Sequence, residues 1–130
     1  MKRLLLILVV ASSVLFASSC TKSKESKLEG KWRKIVVSNV DTPQPTDIWE
    51  FNSGQLIIHR IPIGESEMNE VSRANYSLGF NGTTYTFNIT EEVSGAPLYY
   101  IMAPGKIVKL NNDQFKYINN NGFYGEFVRY

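Results

Sequence analysis

The chain has 130 residues, 43% of them hydrophobic and 12% aromatic, with a single cysteine, a single histidine and a formal net charge of +2. One cysteine excludes an intramolecular disulfide and one histidine excludes a metal site built on paired histidines, so burial must hold the fold, which about one hundred residues can do in a single core. A charge this close to neutral says nothing for nucleic acid or an anionic membrane, both of which call for a concentrated basic face.

In chain order, the first element is an export signal. Lys2 and Arg3 form a charged start, Leu4 to Phe16 an apolar run, and Ala17-Ser18-Ser19 a small-residue cleavage site directly before Cys20. This is the pattern cut by signal peptidase II. It assigns residues 1–19 to a lipoprotein signal peptide and makes Cys20 the acylated (palmitate-bearing) first residue of the mature chain. An ordinary signal peptide cut near Ser18 and an uncut anchor are the competing readings, and the apolar run is shorter than the ~20 residues that span a bilayer. Removing the signal takes away two of the 14 basic residues and leaves the rest balanced by 12 acidic ones, so lipid rather than charge would attach the protein to a membrane. Lys22, Lys24 and Lys27, interleaved with Ser23, Glu25 and Ser26, read as a polar tether over residues 20–27, solvated rather than in contact with phospholipid headgroups. The expected address is the cell envelope, at the outer membrane facing the periplasm.

From residue 28 to 130 the chain reads as strand, turn, strand in one domain, with only a short helical turn around Ser26 to Gly30. Expected strands are Trp32–Ser38, Asp47–Phe51, Gln55–Ile63, Val71–Phe80, Thr83–Thr90, Pro97–Ala103, Lys106–Leu110, Gln114–Ile118 and Phe123–Tyr130. Asn81-Gly82 suits a two-residue type I′ turn, which pairs Phe80 with Thr83, Leu78 with Tyr85, Tyr76 with Phe87 and Ala74 with Ile89, one face apolar and the other polar. Pro104-Gly105 fits a type II turn that brings Ile101 to Val108 and Tyr99 to Leu110. Asn111 to Asp113 bring Leu110 to Phe115, and a three-residue loop, Asn120-Asn121-Gly122, sets Tyr117 opposite Gly125 and Phe115 opposite Phe127. Ser53-Gly54 leaves two options. A two-residue turn puts Leu56 and Ile58 inward and His59 outward; a three-residue loop ending at Gly54 does the reverse. The fold class is therefore all-β: an antiparallel up-and-down barrel of eight or nine strands after an N-terminal signal segment.

Leu28-Glu29-Gly30-Lys31-Trp32 resembles the Gly-x-Trp opening of lipocalin-type barrels. Trp49-Glu50-Phe51-Asn52-Ser53-Gly54 is similar to a hairpin of small lipocalin-like lipoproteins of the Bacteroidetes type, and Phe127-Val128-Arg129-Tyr130 fits their closing strand. The resemblance implies a barrel-base pair in which the Arg129 guanidinium covers the Trp32 ring. Lys34 departs from the pattern, since it shares a face with Trp32; either a bulge re-aims the strand or the lysine snorkels out of the barrel mouth.

The resemblance also implies a binding module for a small apolar or glycan-like ligand in a membrane-anchored envelope lipoprotein. The alternative is a filled barrel serving as a structural or protein-interaction module, because Trp49, Phe51, Tyr76, Tyr85, Phe87, Tyr99, Phe115, Tyr117 and Phe127 all fall on the expected inner face. A ligand pocket would be rimmed by Asn39 to Thr46, Gly64 to Glu70 and Glu91 to Ala96, while Tyr100, Met102, Tyr124 and Tyr130 would form an exposed patch. A hydrolase would need His59 to meet Asp47 and a serine, and adjacent Glu91 and Glu92 point to opposite faces of a strand. The expectation is a monomer without enzyme activity, cofactor or metal, whose partners are the membrane and either a small ligand or an envelope protein, with no nucleic acid.

Overall fold

The computed structural model describes residues 21–35 and 42–130. The signal segment, Cys20 and the stretch Val36 to Asp41 lie outside the described residues. Eight strands close into an antiparallel up-and-down barrel in simple sequence order: β1 (Gly30–Ile35), β2 (Thr46–Asn52), β3 (Gln55–Ile61), β4 (Asn69–Phe80), β5 (Tyr85–Gly95), β6 (Gly105–Leu110), β7 (Gln114–Asn119) and β8 (Tyr124–Arg129). Among the described residues a helix, α1, covers 21–28 and is joined to β1 by Glu29 alone, where the sequence reads as a tether.

Turn chemistry sets most of the register. Ser53 (φ 51°) and Gly54 (φ 82°) both adopt the left-handed region, giving the two-residue turn that pairs Asn52 with Gln55. Leu56 and Ile58 therefore enter the core and His59 leaves it, with a bulge between Ile58 and His59 against β4. At the C-terminus Gly122 (φ 81°) closes the expected three-residue loop, and Phe115 faces Phe127 and Tyr117 faces Gly125. Leu110 meets Phe115 across a turn in which the Asn111 side chain accepts from the amides of Asp113 and Gln114.

The β4–β5 hairpin differs from the expected register by two residues. Phe80 pairs with Tyr85, Leu78 with Phe87 and Tyr76 with Ile89, because the loop holds four residues, Asn81 to Thr84, rather than two. Asn81 caps that loop: its Oδ1 accepts from the Thr83 amide and hydroxyl and from the Thr84 amide. A shift of two preserves which face each side chain occupies, so the apolar pattern does not oppose it.

The second difference is larger. Residues 97–103 are not a strand, and Pro104-Gly105 is not a hairpin turn: Gly105 begins β6 opposite Phe87 of β5 and Asn119 of β7. The barrel therefore has eight strands, and the β5–β6 seam consists of the pairs Thr86–Lys106 and Phe87–Gly105. Above that seam β5 continues with β4 as an exposed ribbon to Gly95. There Ala96 donates its amide to the Val71 carbonyl, and the chain turns back across the open end.

The β1–β8 seam closes the barrel and places Trp32 directly opposite Arg129 and Lys34 opposite Phe127. Lys34 stays on the inner side at the mouth, with Nζ 5.1 Å from the Phe123 ring centroid, so it snorkels rather than being re-aimed by a bulge.

Candidate functional site

A barrel of this kind offers three places for chemistry: its interior, its two ends and its outer face. Among the described residues, the interior is packed with aromatic side chains. Phe51 makes edge contacts with Tyr76 (5.1 Å between centroids), Phe115 (5.7 Å) and Phe87 (5.8 Å), Phe115 stacks on Phe127 (5.1 Å), Trp49 leans on Phe127 (4.7 Å), and Phe87 meets Tyr117 (4.8 Å). Trp32, Phe51, Phe87, Phe115, Tyr117 and Phe127 are fully or almost fully buried. Each such side chain contributes roughly 2–3 kcal/mol of burial, and aromatic pairs add more through their tilted and edge geometries. Burial pushes the Tyr76 phenol up to about 12, aided by Glu25 and Glu29, and pushes Tyr117 up as well. Of the nine residues expected inside, Tyr85 is only half-buried and Tyr99 is 73% exposed.

The base is closed by α1. Its residues Thr21, Lys24, Glu25 and Leu28 are half-buried or buried, the spacing of one helical face, while Lys22, Ser23, Ser26 and Lys27 are exposed on the other. Leu28 is fully buried in the core, and its carbonyl accepts a 2.6 Å hydrogen bond from Trp32 Nε1. The structure brings Trp32 and Arg129 together, with the guanidinium carbon 3.7 Å from the indole centroid. Arg129 also donates to three main-chain carbonyls: from Nε to Asn112 (3.0 Å), from Nη1 to Glu29 (2.8 Å) and from Nη2 to Lys27 (2.9 Å). This one side chain ties the end of the last strand to the end of α1 and to the β6–β7 loop, and desolvation lowers its pKa. Lys24 sits 5.2 Å from the Tyr85 ring, so α1 reaches across the base from β1 to β5.

The mouth is closed by the residues expected as a strand. Leu98 accepts from the amides of Ile101 and Met102, making a helical turn that inserts Leu98 and Ile101 into the core cluster, with Met102 packed half-buried against it rather than exposed. The β7–β8 hairpin holds this plug. Tyr117 donates its hydroxyl to the carbonyls of Ile101 and Ala103, Asn119 donates to the Tyr100 carbonyl, and Asn121 to that of Tyr99. Asn119 Oδ1 accepts from the amides of Asn121 and Phe123, so one buried side chain fixes both hairpin and plug. The Glu92 carboxylate caps the Leu98 amide. Sequence reading missed this element; its signal is the i, i+3 spacing of Leu98 and Ile101 between Pro97 and Pro104.

On the outer face, polar residues pair across strands. His59 Nε2 lies 2.8 Å from Glu50, Asp47 is held by Arg60 at 2.7 Å, Arg73 pairs with Glu70 at 2.9 Å, and Lys116 with Glu126 at 2.7 Å. The triad candidates are thus committed to different partners, His59 to Glu50 and Asp47 to Arg60. Glu91 accepts from Asn75 and Glu92 from the Leu98 amide, so neither faces the other. No group of three or more metal-ligating side chains occurs among the described residues. An open groove of about 410 Å³ lies outside the barrel, lined by Thr86, Lys106, Ile118, Asn120 and the Pro104-Gly105 backbone. The expected exposed patch does not assemble: Tyr100 is at the mouth and Tyr130 follows the base end of β8, while Tyr124 hydrogen-bonds Glu126.

Compared with known proteins, the chain matches no protein-family model, no curated protein sequence and no solved structure. No helix among the described residues is long and apolar enough to cross a membrane.

Proposed function

We propose that this chain is a membrane-anchored envelope lipoprotein, acylated at Cys20, whose lipocalin-like barrel serves as a filled structural or interaction module rather than as an internal ligand carrier. One observation carries the choice between these two. The interior is occupied by the chain's own aromatic rings and is closed at one end by Leu28 and Trp32 and at the other by Leu98 and Ile101. An eight-stranded barrel has room for side chains or for one small ligand, and the packed rings support the first. The order Lys2-Arg3, apolar run, Ala17-Ser18-Ser19-Cys20 supports the lipid anchor and the envelope address.

Binding of a small apolar or glycan-like ligand is the second reading. It is favoured by one feature: the plug is a short loop segment, tied to β7 and the following hairpin by the Tyr117, Asn119 and Asn121 side chains, so its displacement would expose an aromatic-lined end. Native mass spectrometry of the full-length protein extracted gently from its own membranes separates the two. A mass equal to the acylated chain alone supports the filled module. A reproducible additional small-molecule mass that survives buffer exchange would overturn it in favour of ligand binding, and an unmodified Cys20 would overturn the lipid anchor.

A further inference from the structure

We propose that the barrel is held base-first against the membrane, with the exposed face of α1 resting on the phospholipid headgroup layer and the plugged mouth directed away from it. The inference rests on acylation of Cys20 and adds to it an orientation that acylation alone does not require.

Little free chain would separate the lipid from the barrel. Consecutive Cα atoms are about 3.8 Å apart, and Thr21, which follows Cys20, is already helical. The end of α1 is fixed to the base by the burial of Leu28, by the Trp32–Leu28 hydrogen bond and by Arg129 on the Lys27 and Glu29 carbonyls. Lys24 on the Tyr85 ring fixes its middle. A lipid on Cys20 would therefore be joined to a docked helix of about 12 Å with no flexible spacer between them. Free tumbling of the barrel at the end of a tether needs several unstructured residues, and here those residues are helical.

The chemistry of the face that points away from the barrel fits the same layer. It carries Lys22 and Lys27 with Ser23 and Ser26 and no carboxylate, while Glu25 is half-buried on the other face with Thr21, Lys24 and Leu28. Two ammonium groups and two hydroxyls suit phosphate-bearing headgroups, to which each cation near an anionic surface adds attraction. The Ser53-Gly54, Asn81 to Thr84 and Asn111 to Asp113 turns lie at this same end. β4, the longest strand with 12 residues, puts the opposite rim roughly 30 Å from the lipid at ordinary strand rise and tilt. The surface offered to the envelope space is then the plug with Tyr99 and Tyr100, together with the Glu91–Gly95 ribbon.

The test uses the full-length lipoprotein in vesicles of phosphatidylethanolamine and phosphatidylglycerol. An environment-sensitive fluorophore is placed at Asn112→Cys on the base or Ser66→Cys at the mouth, and quenching is read from headgroup spin-labelled lipid. An acylated Cys20 has no free thiol, so each variant takes one label. The expected result is at least threefold stronger quenching at position 112 than at 66, abolished when eight Gly/Ser residues are inserted between Cys20 and Thr21. Vesicle-bound, singly labelled protein with equal quenching at the two positions, or stronger quenching at 66, overturns the orientation and leaves the anchor standing. A contrast that survives the insertion overturns the role of α1. Two labels per chain with no vesicle binding overturns the anchor, and the orientation with it.

Discussion

Arg129→Ala isolates what closes the base. The substitution removes the three hydrogen bonds to the Asn112, Glu29 and Lys27 carbonyls and the guanidinium 3.7 Å from the Trp32 centroid. The side chain is exposed, so each bond is discounted for solvent to the low part of the range for an ordinary hydrogen bond, about 0.5–1 kcal/mol, and the cation–π contact is taken at about 1 kcal/mol. Together these give a loss of about 3 kcal/mol, which for a domain of this size lowers Tm by roughly 12–24 °C. The measurement is urea unfolding followed by tryptophan fluorescence, paired with calorimetry. Arg129→Lys sharpens it, because an ammonium keeps the charge near the indole but cannot fork to three carbonyls in different directions, and it should recover less than half of the loss. The acceptors are neutral carbonyls, so moderate salt should leave the difference between variants nearly unchanged. An alanine variant within about 0.5 kcal/mol of the parent, or a lysine variant equal to it, would refute the assignment of Arg129 as the clamp between β8, α1 and the β6–β7 loop.

Ile101→Ala removes a fully buried side chain from the plug and should cost about 2–4 kcal/mol while increasing the binding of a hydrophobic dye; unchanged dye binding would mean that Ile101 does not seal the mouth. Gly105 lies under the Tyr117 ring, and a Cβ there would fall 2.2 Å from Tyr117 Cε2. Gly105→Ala should therefore destabilise by about 2–3 kcal/mol, and Tyr117→Leu in the same chain should recover part of that; strict additivity in a double-mutant cycle argues against the contact. The Tyr76 phenol, raised to about 12 by burial, ionises in the unfolded chain first. Its contribution is fully present below pH ~10 and is lost as pH rises toward 12, so Tyr76→Phe should flatten the alkaline decline in stability, and an identical decline would sink the idea. Glu126 is held below the ordinary carboxylate range by the Lys116 and Tyr124 hydrogen bonds, so its stabilisation is present at neutral pH and fades on acidification. Glu126→Gln should make acid unfolding less pH-dependent.

How much of the fold was legible depended on whether a turn left a second choice. At Asn120-Asn121-Gly122 it did not: Gly122 supplies the one left-handed residue, and the flanking Phe115 and Phe127 fit only one register with that loop length. At Asn81-Gly82 it did. Pattern distinguishes odd from even register shifts, because side-chain direction has period two, but it carries no information about a shift of two. The four-residue loop is favoured by the Asn81 side chain, whose three accepted hydrogen bonds satisfy loop donors that a two-residue turn would not contain. The base pair was legible through the resemblance of the opening and closing strands to lipocalin-type barrels, with alternation placing Arg129 on the inner face. His59 was not, because its direction depended on one undecided loop length, and the φ angles of Ser53 and Gly54 resolve it.

The two segments that close the barrel share a reason for being missed, and that reason bears on what the molecule is for. Residues 97–103 have strand-like composition, with two tyrosines and an isoleucine, and residues 21–28 look like a linker. Each is a one- or two-turn helical segment whose apolar contact comes from one or two side chains, Leu98 and Ile101 in one and Leu28 in the other. Helical periodicity needs about eleven residues to be read, and helices this short are not stable by themselves; they exist because the barrel ends offer an apolar surface that must be covered. An open eight-stranded barrel with Trp32 and Trp49 near its ends would expose apolar area to water, which costs about 25 cal/mol per Å². Among the described residues, the chain covers both ends with its own side chains, Leu28 at the base and Leu98 and Ile101 at the mouth. The groove beside Thr86 and Lys106 and the β4–β5 ribbon are parts of the outer surface that the packing of the described residues leaves open.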